Sequence, residues 1–204
     1  SPSGHPERRL ISSCLDTEQV VLMLGQSTVP HGHPDDLALR LLHCHLGVGM
    51  SSLLFRRLRE EHGVAYDVGV HHPCRAQQAP FVMHASTSAE RAALSLRLLQ
   101  NSWDELASQP LSEEDLELAR SKFIGQMAHS CQTSAQRAER RVQLHGLALP
   151  ADHDMQCSRR LEQITAVDLQ QVAARRLTRP CLSLSGPSAT LSTLERSWPR
   201  PEPA

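Results

Sequence analysis

The stretch LHCHLGVGMSSLLFRRLREEHGVAYDV, from Leu42 to Val68, decides how the rest of the chain is interpreted. Its apolar spacing and its glycines predict a helix, a turn, a second helix that ends at Gly63, and then a strand. Arg59 and Tyr66 lie seven residues apart, on opposite sides of Gly63. A guanidinium and a phenol therefore flank one helix end.

The segments on either side predict further strands and a first helix. Upstream, the continuous apolar run from Gln19 to Leu24 predicts a buried strand. Pro34, followed by two aspartates, predicts the start of the first helix. Downstream, residues 64–72 and 81–86 predict an antiparallel strand pair, and residues 181–185 predict a closing strand.

Four more helices are predicted between the strand pair and the closing strand. Their start signals are Thr87 with Glu90, Ser112 before an acidic first turn, Thr133 with Gln136, and Thr165 with Asp168. The resulting order β-α-α-β-β-α-α-α-α-β predicts an α+β fold, in which helices pack on one face of a largely antiparallel sheet.

Length and composition bound the class of protein. The 204 residues predict a single domain, residues 1–204, with a core over about residues 18–187 and loose termini that include residues 1–16. A net charge of −1 favours neither nucleic acid nor an anionic membrane as a partner. Six singly spaced cysteines favour free thiols in a reducing compartment, so we expect a cytoplasmic protein. The first residue, Ser1, leaves open both a removed segment and a cut from a longer precursor.

From the residues alone, Arg59 and Tyr66 each have an ordinary structural explanation. Arg59 would be a solvated arginine that complements the dipole at a helix C-terminus. Tyr66 would lie on the same face of a strand as Val64, Val68 and Val70, with a packed ring and its hydroxyl at an edge. Physical chemistry alone favours these two explanations over a functional one.

The combination of motifs resembles the C-terminal half of pitrilysin/insulinase-family zinc metallopeptidases. The resemblance rests on the spacing of Arg59 and Tyr66, on the glycine-rich turn before Met50-Ser51-Ser52, and on the junction Gly63-Val64-Ala65-Tyr66. The order of strands and helices over about residues 18–187 matches as well.

The resemblance implies that this chain contributes to a zinc centre held elsewhere. In the family, a metal-activated water attacks the peptide carbonyl, and hydrogen-bond donors are needed where negative charge develops. Arg59 and Tyr66 would reach the substrate in trans, and Gly47, Gly49 and Met50 would border the substrate chamber. The implied partners are a zinc-bearing homologous half or subunit and an extended peptide.

The chain lacks the zinc motif of that partner half. None of its twelve histidines belongs to an H-x-x-E-H sequence, and at the nearest candidate, Glu61-His62, Leu58 stands where a histidine is required. We therefore expect no metal and no cofactor in this chain, zinc in the partner half, and an inactive isolated chain. His43 and His45 would point to different sides of a helix, which disfavours a shared metal ion.

Two other functions stay open. The same fold is known within the family in subunits that have lost proteolysis and serve as scaffold in larger assemblies. The presence of Arg59 and Tyr66 favours the peptidase interpretation over the scaffold. A third alternative, an independent peptide-binding module, requires the isolated chain to bind peptides.

Overall fold

The computed structural model describes residues 10–198 as a five-stranded sheet with helices packed against it. The strands are β1 (Leu10–Cys14), β2 (Gln19–Ser27), β3 (Asp67–His71), β4 (Pro80–Ser88) and β5 (Cys181–Gly186). The helices are α1 (Asp36–Gly47), a π-helix (Phe55–Glu61), α2 (Ala92–Ser108), α3 (Glu113–His129), α4 (Ser134–Gly146), α5 (His153–Leu161), α6 (Ala166–Arg176) and α7 (Ser188–Ser197).

The strands are hydrogen-bonded in the order β1-β5-β2-β4-β3. Only β1 and β5 run parallel, and the other three pairs are antiparallel. In the local pair β3–β4, Val70 lies opposite Met83. The prediction of an α+β fold with a largely antiparallel sheet is confirmed.

The two faces of the sheet differ in burial. On one face the apolar residues of alternating positions, such as Leu22, Phe81 and Met83, are fully buried. Trp103 of α2 packs edge-on against Phe81 with ring centres 6.0 Å apart, and its indole N–H donates to the Leu177 carbonyl at 2.8 Å. The opposite face stays partly exposed. It comprises Val21, Met23, Val82, His84, Ser183 and Ser185.

The first described strand corrects a prediction. Residues 1–16 are expected to be loose, yet residues 10–14 form β1, with Leu10 opposite Leu182 and Cys14 opposite Gly186. A strand ladder is built from backbone groups, so the sequence LISSC pairs although it lacks the apolar alternation that predicts a strand. Residues 1–9 and 199–204 lie outside the described part of the chain.

Most of the predicted helix starts are confirmed, but one is wrong. Ser112 accepts from the Asp115 amide, and Thr133 and Thr165 form complete capping boxes. Thr87 instead lies inside β4, because the strand continues to Ser88 and α2 begins only at Ala92. Within residues 10–198, none of the helices is long and apolar enough to cross a membrane.

Candidate functional site

Arg59 lies near the end of the π-helix. The sequence predicts a helix here, and Leu54 and Leu58 are buried as the apolar spacing requires. That spacing does not distinguish a short π-helix from an α-helix. π-Helical turns are rare in proteins, but those that occur often lie at functional sites. The guanidinium carbon of Arg59 lies 4.9 Å from the centre of the Phe55 ring. Gly63, with a φ of 58°, takes the left-handed conformation that follows the helix end.

Tyr66 lies immediately before β3. Its amide N–H donates to the Ser86 carbonyl at 2.7 Å, so its backbone joins the edge of the sheet. Its side chain is 59% exposed. The explanation of Tyr66 as a packed core tyrosine is therefore wrong, because the residue precedes the regular strand and its ring turns outward.

A shallow cleft of about 840 Å³ borders the exposed tyrosine ring. The cleft lies where the β1–β2 turn and the β4–α2 turn meet the end of the sheet. Its walls are formed by Thr17, Glu18, Tyr66, Ser88, Ala89, Glu90, Arg91 and Pro187. A wide, open cleft of this kind suits a flexible chain or a protein surface more than an enclosed small molecule.

The polar groups of Arg59 and Tyr66 are both available to an external molecule. Neither side chain makes a hydrogen bond or an ion pair within residues 10–198, and no hydrogen bond joins the two. The guanidinium has five N–H donors in a planar fork, and the phenol has one O–H donor. Together they can bind carbonyl or oxyanion acceptors that another molecule supplies.

Gly47 is the last residue of α1, Gly49 and Met50 lie in the turn between α1 and the π-helix, and the environments of the three differ. A Cβ at Gly47 would lie 2.8 Å from the Val70 backbone nitrogen, so a close approach of α1 to β3 requires this glycine. Gly49 has a φ of 77° and open space around it. The Met50 side chain is 74% exposed. The last two residues are therefore accessible, and Gly47 has a packing role.

A buried polar cluster around Asp36 was missed by the sequence analysis. The Asp36 carboxylate accepts from His31 Nδ1 at 2.7 Å, Arg40 Nε at 3.0 Å and the Gly32 amide at 3.2 Å. His72 Nε2 lies 3.7 Å from its second oxygen. Burial alone would raise the pKa of Asp36, but the hydrogen bond from His31, the nearby His72 ring and the Arg40 charge hold it well below its usual range.

The Asp36 cluster forms part of the wall of a cavity of about 420 Å³ between α1, α3, α4 and α5. Another wall carries Arg140, which donates to Asp154 at 2.6 and 2.9 Å. Each of these two arginines is thus already paired with a carboxylate. The one sequence signal for the cluster is the i, i+4 spacing of Asp36 and Arg40 at the start of α1.

The histidines considered as metal ligands have structural partners. His43 Nε2 donates to the Val70 carbonyl at 3.1 Å, and His45 Nδ1 lies 3.9 Å from Asp115. Burial lowers the pKa of each of these histidines to about 4. Within residues 10–198, no group of three or more His, Cys, Asp or Glu residues is arranged to hold a metal ion.

Known proteins match this chain in sequence and in fold. The family profile described as peptidase M16 inactive domain matches residues 2–123. An uncharacterized zinc protease of Mycobacterium tuberculosis is 29% identical over 180 residues, which cover 87% of this chain and 40% of that protein. The chain thus spans about two fifths of the length of the first curated relatives that it matches.

Solved structures share the architecture at low sequence identity. A peptidase M16 inactive domain from Pseudomonas fluorescens matches with a TM-score of 0.80 and 21% identity, covering 88% of this chain and 43% of that chain. A chain of complex III2 from Candida albicans matches with a TM-score of 0.74 and 10% identity, covering 87% of this chain and 45% of that chain. Both similarities show a shared fold.

Proposed function

Because this chain belongs to the peptidase M16 family, whose inactive domain it matches, we propose that it is the zinc-free half of a zinc metalloendopeptidase. It closes a peptide-holding chamber against a zinc-bearing H-x-x-E-H half or subunit, with residues 1–204 acting as one domain. It supplies Arg59 and Tyr66 to the substrate held in that partner. Zinc belongs to the partner, and the isolated chain is inactive.

The availability of Tyr66 and Arg59 is the observation that supports this proposal most strongly. The Tyr66 backbone is bonded to β4, while its ring is 59% exposed and its hydroxyl has no partner within residues 10–198. A tyrosine with a fixed backbone and a free phenol is suited to bind a molecule outside the domain, because its exposed ring contributes little to packing inside the domain. Arg59 has the same character, since within residues 10–198 its guanidinium interacts with the ring of Phe55 and with no hydrogen-bond or ion-pair partner.

The chemistry of peptide hydrolysis requires donors of these two kinds. When zinc is bound in the partner, it polarises the scissile carbonyl and activates a water molecule. Tyr66 then donates its O–H to the oxyanion that forms, and Arg59 donates its N–H groups to substrate carbonyls. Both donors act only when the two halves enclose the peptide, because neither side chain reaches an acceptor within the described part of this chain.

The surface of the domain fits an extended peptide. The cleft beside Tyr66 has a volume of about 840 Å³ and is open along the end of the sheet. Met50 is 74% exposed on the turn after α1, and we propose that it borders the chamber together with Gly47 and Gly49. The peptide itself adds a strand to a sheet edge in the partner half.

A proteolytically inactive scaffold is the second candidate function. The observation that favours it is the fold shared with a chain of complex III2, at a TM-score of 0.74. As a scaffold, the domain would use the same surface to bind a homologous chain without any cleavage. The exposed Tyr66 and Arg59 would then be interface residues.

Reconstitution with the zinc-bearing half distinguishes the candidate functions. The chain is produced with an H-x-x-E-H homologue from the same organism, in one polypeptide or in two, and tested on quenched fluorescent peptides. We expect zinc-dependent cleavage that a chelator abolishes and that neither half shows alone. A stable complex without cleavage would support the scaffold, and peptide binding by the isolated chain would support a binding module.

A further inference from the structure

Two hydroxyl groups in the core lie against the backbone between Arg59 and Tyr66. The Thr87 hydroxyl donates to the Val64 carbonyl. The Ser95 hydroxyl of α2 lies 3.3 Å from the same carbonyl and 3.2 Å from Thr87 Oγ1. Thr87 and Ser95 are both 0% exposed, and buried hydroxyls need hydrogen-bond partners. The Thr87 hydroxyl is therefore bonded to a backbone carbonyl two residues before Tyr66, and Ser95, whose nearest acceptor is the Arg91 carbonyl at 3.0 Å, lies against the same group.

The segment from Gly63 to Tyr66, called the link below, has further backbone hydrogen bonds. Arg91 donates to the Gly63 carbonyl at 2.6 Å. The Val64 amide donates to the Leu58 carbonyl at 2.8 Å. With the Tyr66 amide bonded to β4 and the Val64 carbonyl bonded to Thr87, four backbone groups of the link have a defined partner, although the segment belongs to no helix or strand.

The π-helix on the other side of Gly63 is attached to the same helix, α2. Arg57 donates to the Ser102 hydroxyl at 2.8 Å and forms an ion pair with Glu105 at 2.9 Å. Arg91, at the N-cap of α2, and Ser95, in its first turn, hold the link, while Ser102 and Glu105 hold the π-helix. One rigid helix therefore sets the position of both segments that present Arg59 and Tyr66.

We propose that Thr87, Ser95 and Arg91 are positioning residues that hold the Gly63–Tyr66 link so that the Tyr66 phenol meets the substrate in a fixed orientation. This inference rests on the proposed function, since it assigns the residues that orient Tyr66. The buried hydroxyls act through the Val64 carbonyl and never touch the substrate. Arg91 acts through the Gly63 carbonyl and also lines the cleft beside the ring.

A role in stability alone predicts a different pattern of effects. A buried carbonyl needs a donor wherever it lies, so loss of the Thr87 hydroxyl lowers stability under either explanation. If Thr87 positions Tyr66, loss of the Thr87 hydroxyl should in addition change the environment of the Tyr66 ring in the folded protein. Thr28 is a matched control, because it is also buried and its hydroxyl donates to a backbone carbonyl, that of Ala79, at 2.7 Å.

The first test uses the fact that Tyr66 is the single tyrosine of the chain. Labelling with 3-fluorotyrosine gives one ¹⁹F resonance, which reports on that ring directly. We expect Thr87→Val to shift or broaden this resonance and Thr28→Val to leave it unchanged. Ser95→Ala, a milder change that keeps the Thr87 bond, is the second variant if Thr87→Val does not fold. An unchanged resonance in every folded variant overturns the inference.

The second test measures turnover in the reconstituted peptidase. We expect Thr87→Val to lower kcat on the order of tenfold with little change in KM, because a displacement of about 1 Å in a reacting group can reduce rates about 100-fold. In a Tyr66→Phe background the same change should have almost no further effect, since the positioned hydroxyl is already gone. Equal losses in both backgrounds contradict positioning.

The two tests separate a failure of the inference from a failure of the proposed function. If Tyr66→Phe lowers turnover but Thr87→Val alters neither the ¹⁹F resonance nor kcat, only the inference is overturned. If Tyr66→Phe leaves turnover unchanged in an active complex, the proposed role of Tyr66 is wrong and the inference falls with it.

Discussion

Arg59 stacks on Phe55, four residues earlier in the same π-helix, with 4.9 Å between the guanidinium carbon and the ring centre. The stack restricts the rotamers of a long side chain that has no hydrogen-bond partner within residues 10–198. A side chain that is ordered before binding loses less conformational entropy when it binds. Phe55 is therefore expected to influence the function of Arg59 without touching the substrate.

Replacing Phe55 by leucine should reduce the activity of the reconstituted peptidase modestly. An exposed cation–π contact is worth about 0.5–1 kcal/mol, so we expect kcat/KM to fall about two- to fivefold in Phe55→Leu. Phe55→Tyr keeps an aromatic face and should retain wild-type activity. Equal activity of the leucine and tyrosine variants would show that the stack does not order Arg59.

Removing the donors themselves should have a much larger effect. A lost transition-state donor typically lowers kcat by about 100- to 1000-fold, so we expect losses in this range for Tyr66→Phe and for Arg59→Ala. Both side chains are exposed, so thermal unfolding followed by circular dichroism should change little. Full activity in both variants, measured with the zinc-bearing partner present, would rule out the proposed role.

Much of the fold is predictable from this sequence because local signals agree with the final structure. Ser112, Thr133 and Thr165 cap helices where their spacing predicts caps. Thr87 shows the limit of such signals. The pattern Thr87 with Glu90 fits a capping box equally well, but pairing with β2 extends β4 through this residue. Tertiary pairing thus overrides a local preference that the sequence cannot rank.

Candidate residues for the site can be named from the sequence, but their arrangement in space cannot. The resemblance to the family makes Arg59 and Tyr66 candidates, while the π-form of the helix, the exposure of the ring and the hydroxyls near the Val64 carbonyl depend on contacts between distant segments. Ser95 and Val64 are 31 residues apart in sequence. Buried hydroxyls of this kind have no motif, because their spacing is set by the packing of α2 and not by a local rule.

Removing the charge of Asp36 should destabilise the fold. Leaving the mostly buried Arg40 guanidinium without its anion costs about 3–5 kcal/mol in comparable ion pairs, so we expect a loss of this order in the free energy of unfolding of Asp36→Asn at pH 7. The exposed Asp104→Asn is the control and should change little.

The pH dependence of the Asp36 contribution has a defined sign. The pKa of Asp36 is lowered on folding, so its contribution is fully present above its unfolded value, 3.8, and is lost as the pH falls below it. The difference between wild type and Asp36→Asn, measured by urea unfolding, should therefore be constant from pH 7 to 5 and should narrow only under stronger acid. A difference that is already gone at pH 5 would contradict the role of the carboxylate.

Gly47→Ala should test whether this glycine is structural. Its Cβ would lie 2.8 Å from backbone and side-chain atoms of Val70, and such overpacking costs about 1–3 kcal/mol. We expect lower stability with little change in kcat per folded molecule. Met50→Ala, on the exposed side of the same turn, should leave stability unchanged and raise KM if the turn borders the substrate.

Buried histidines should make the domain less stable in mild acid. The pKa of His43 falls from 6.5 to about 4 on folding, because burial disfavours its charged form. The unfolded chain therefore binds more protons than the folded protein between pH 6.5 and 4, and stability must decrease as the pH falls through this window, by at most about 1.4 kcal/mol per pH unit.

His43→Gln keeps an N–H donor for the Val70 carbonyl but does not titrate, so its free energy of unfolding should depend less steeply on pH between 6.5 and 5. His129→Gln, an exposed change, should leave the slope as it is. If both variants keep the wild-type slope, proton uptake by His43 is not what destabilises the fold in acid.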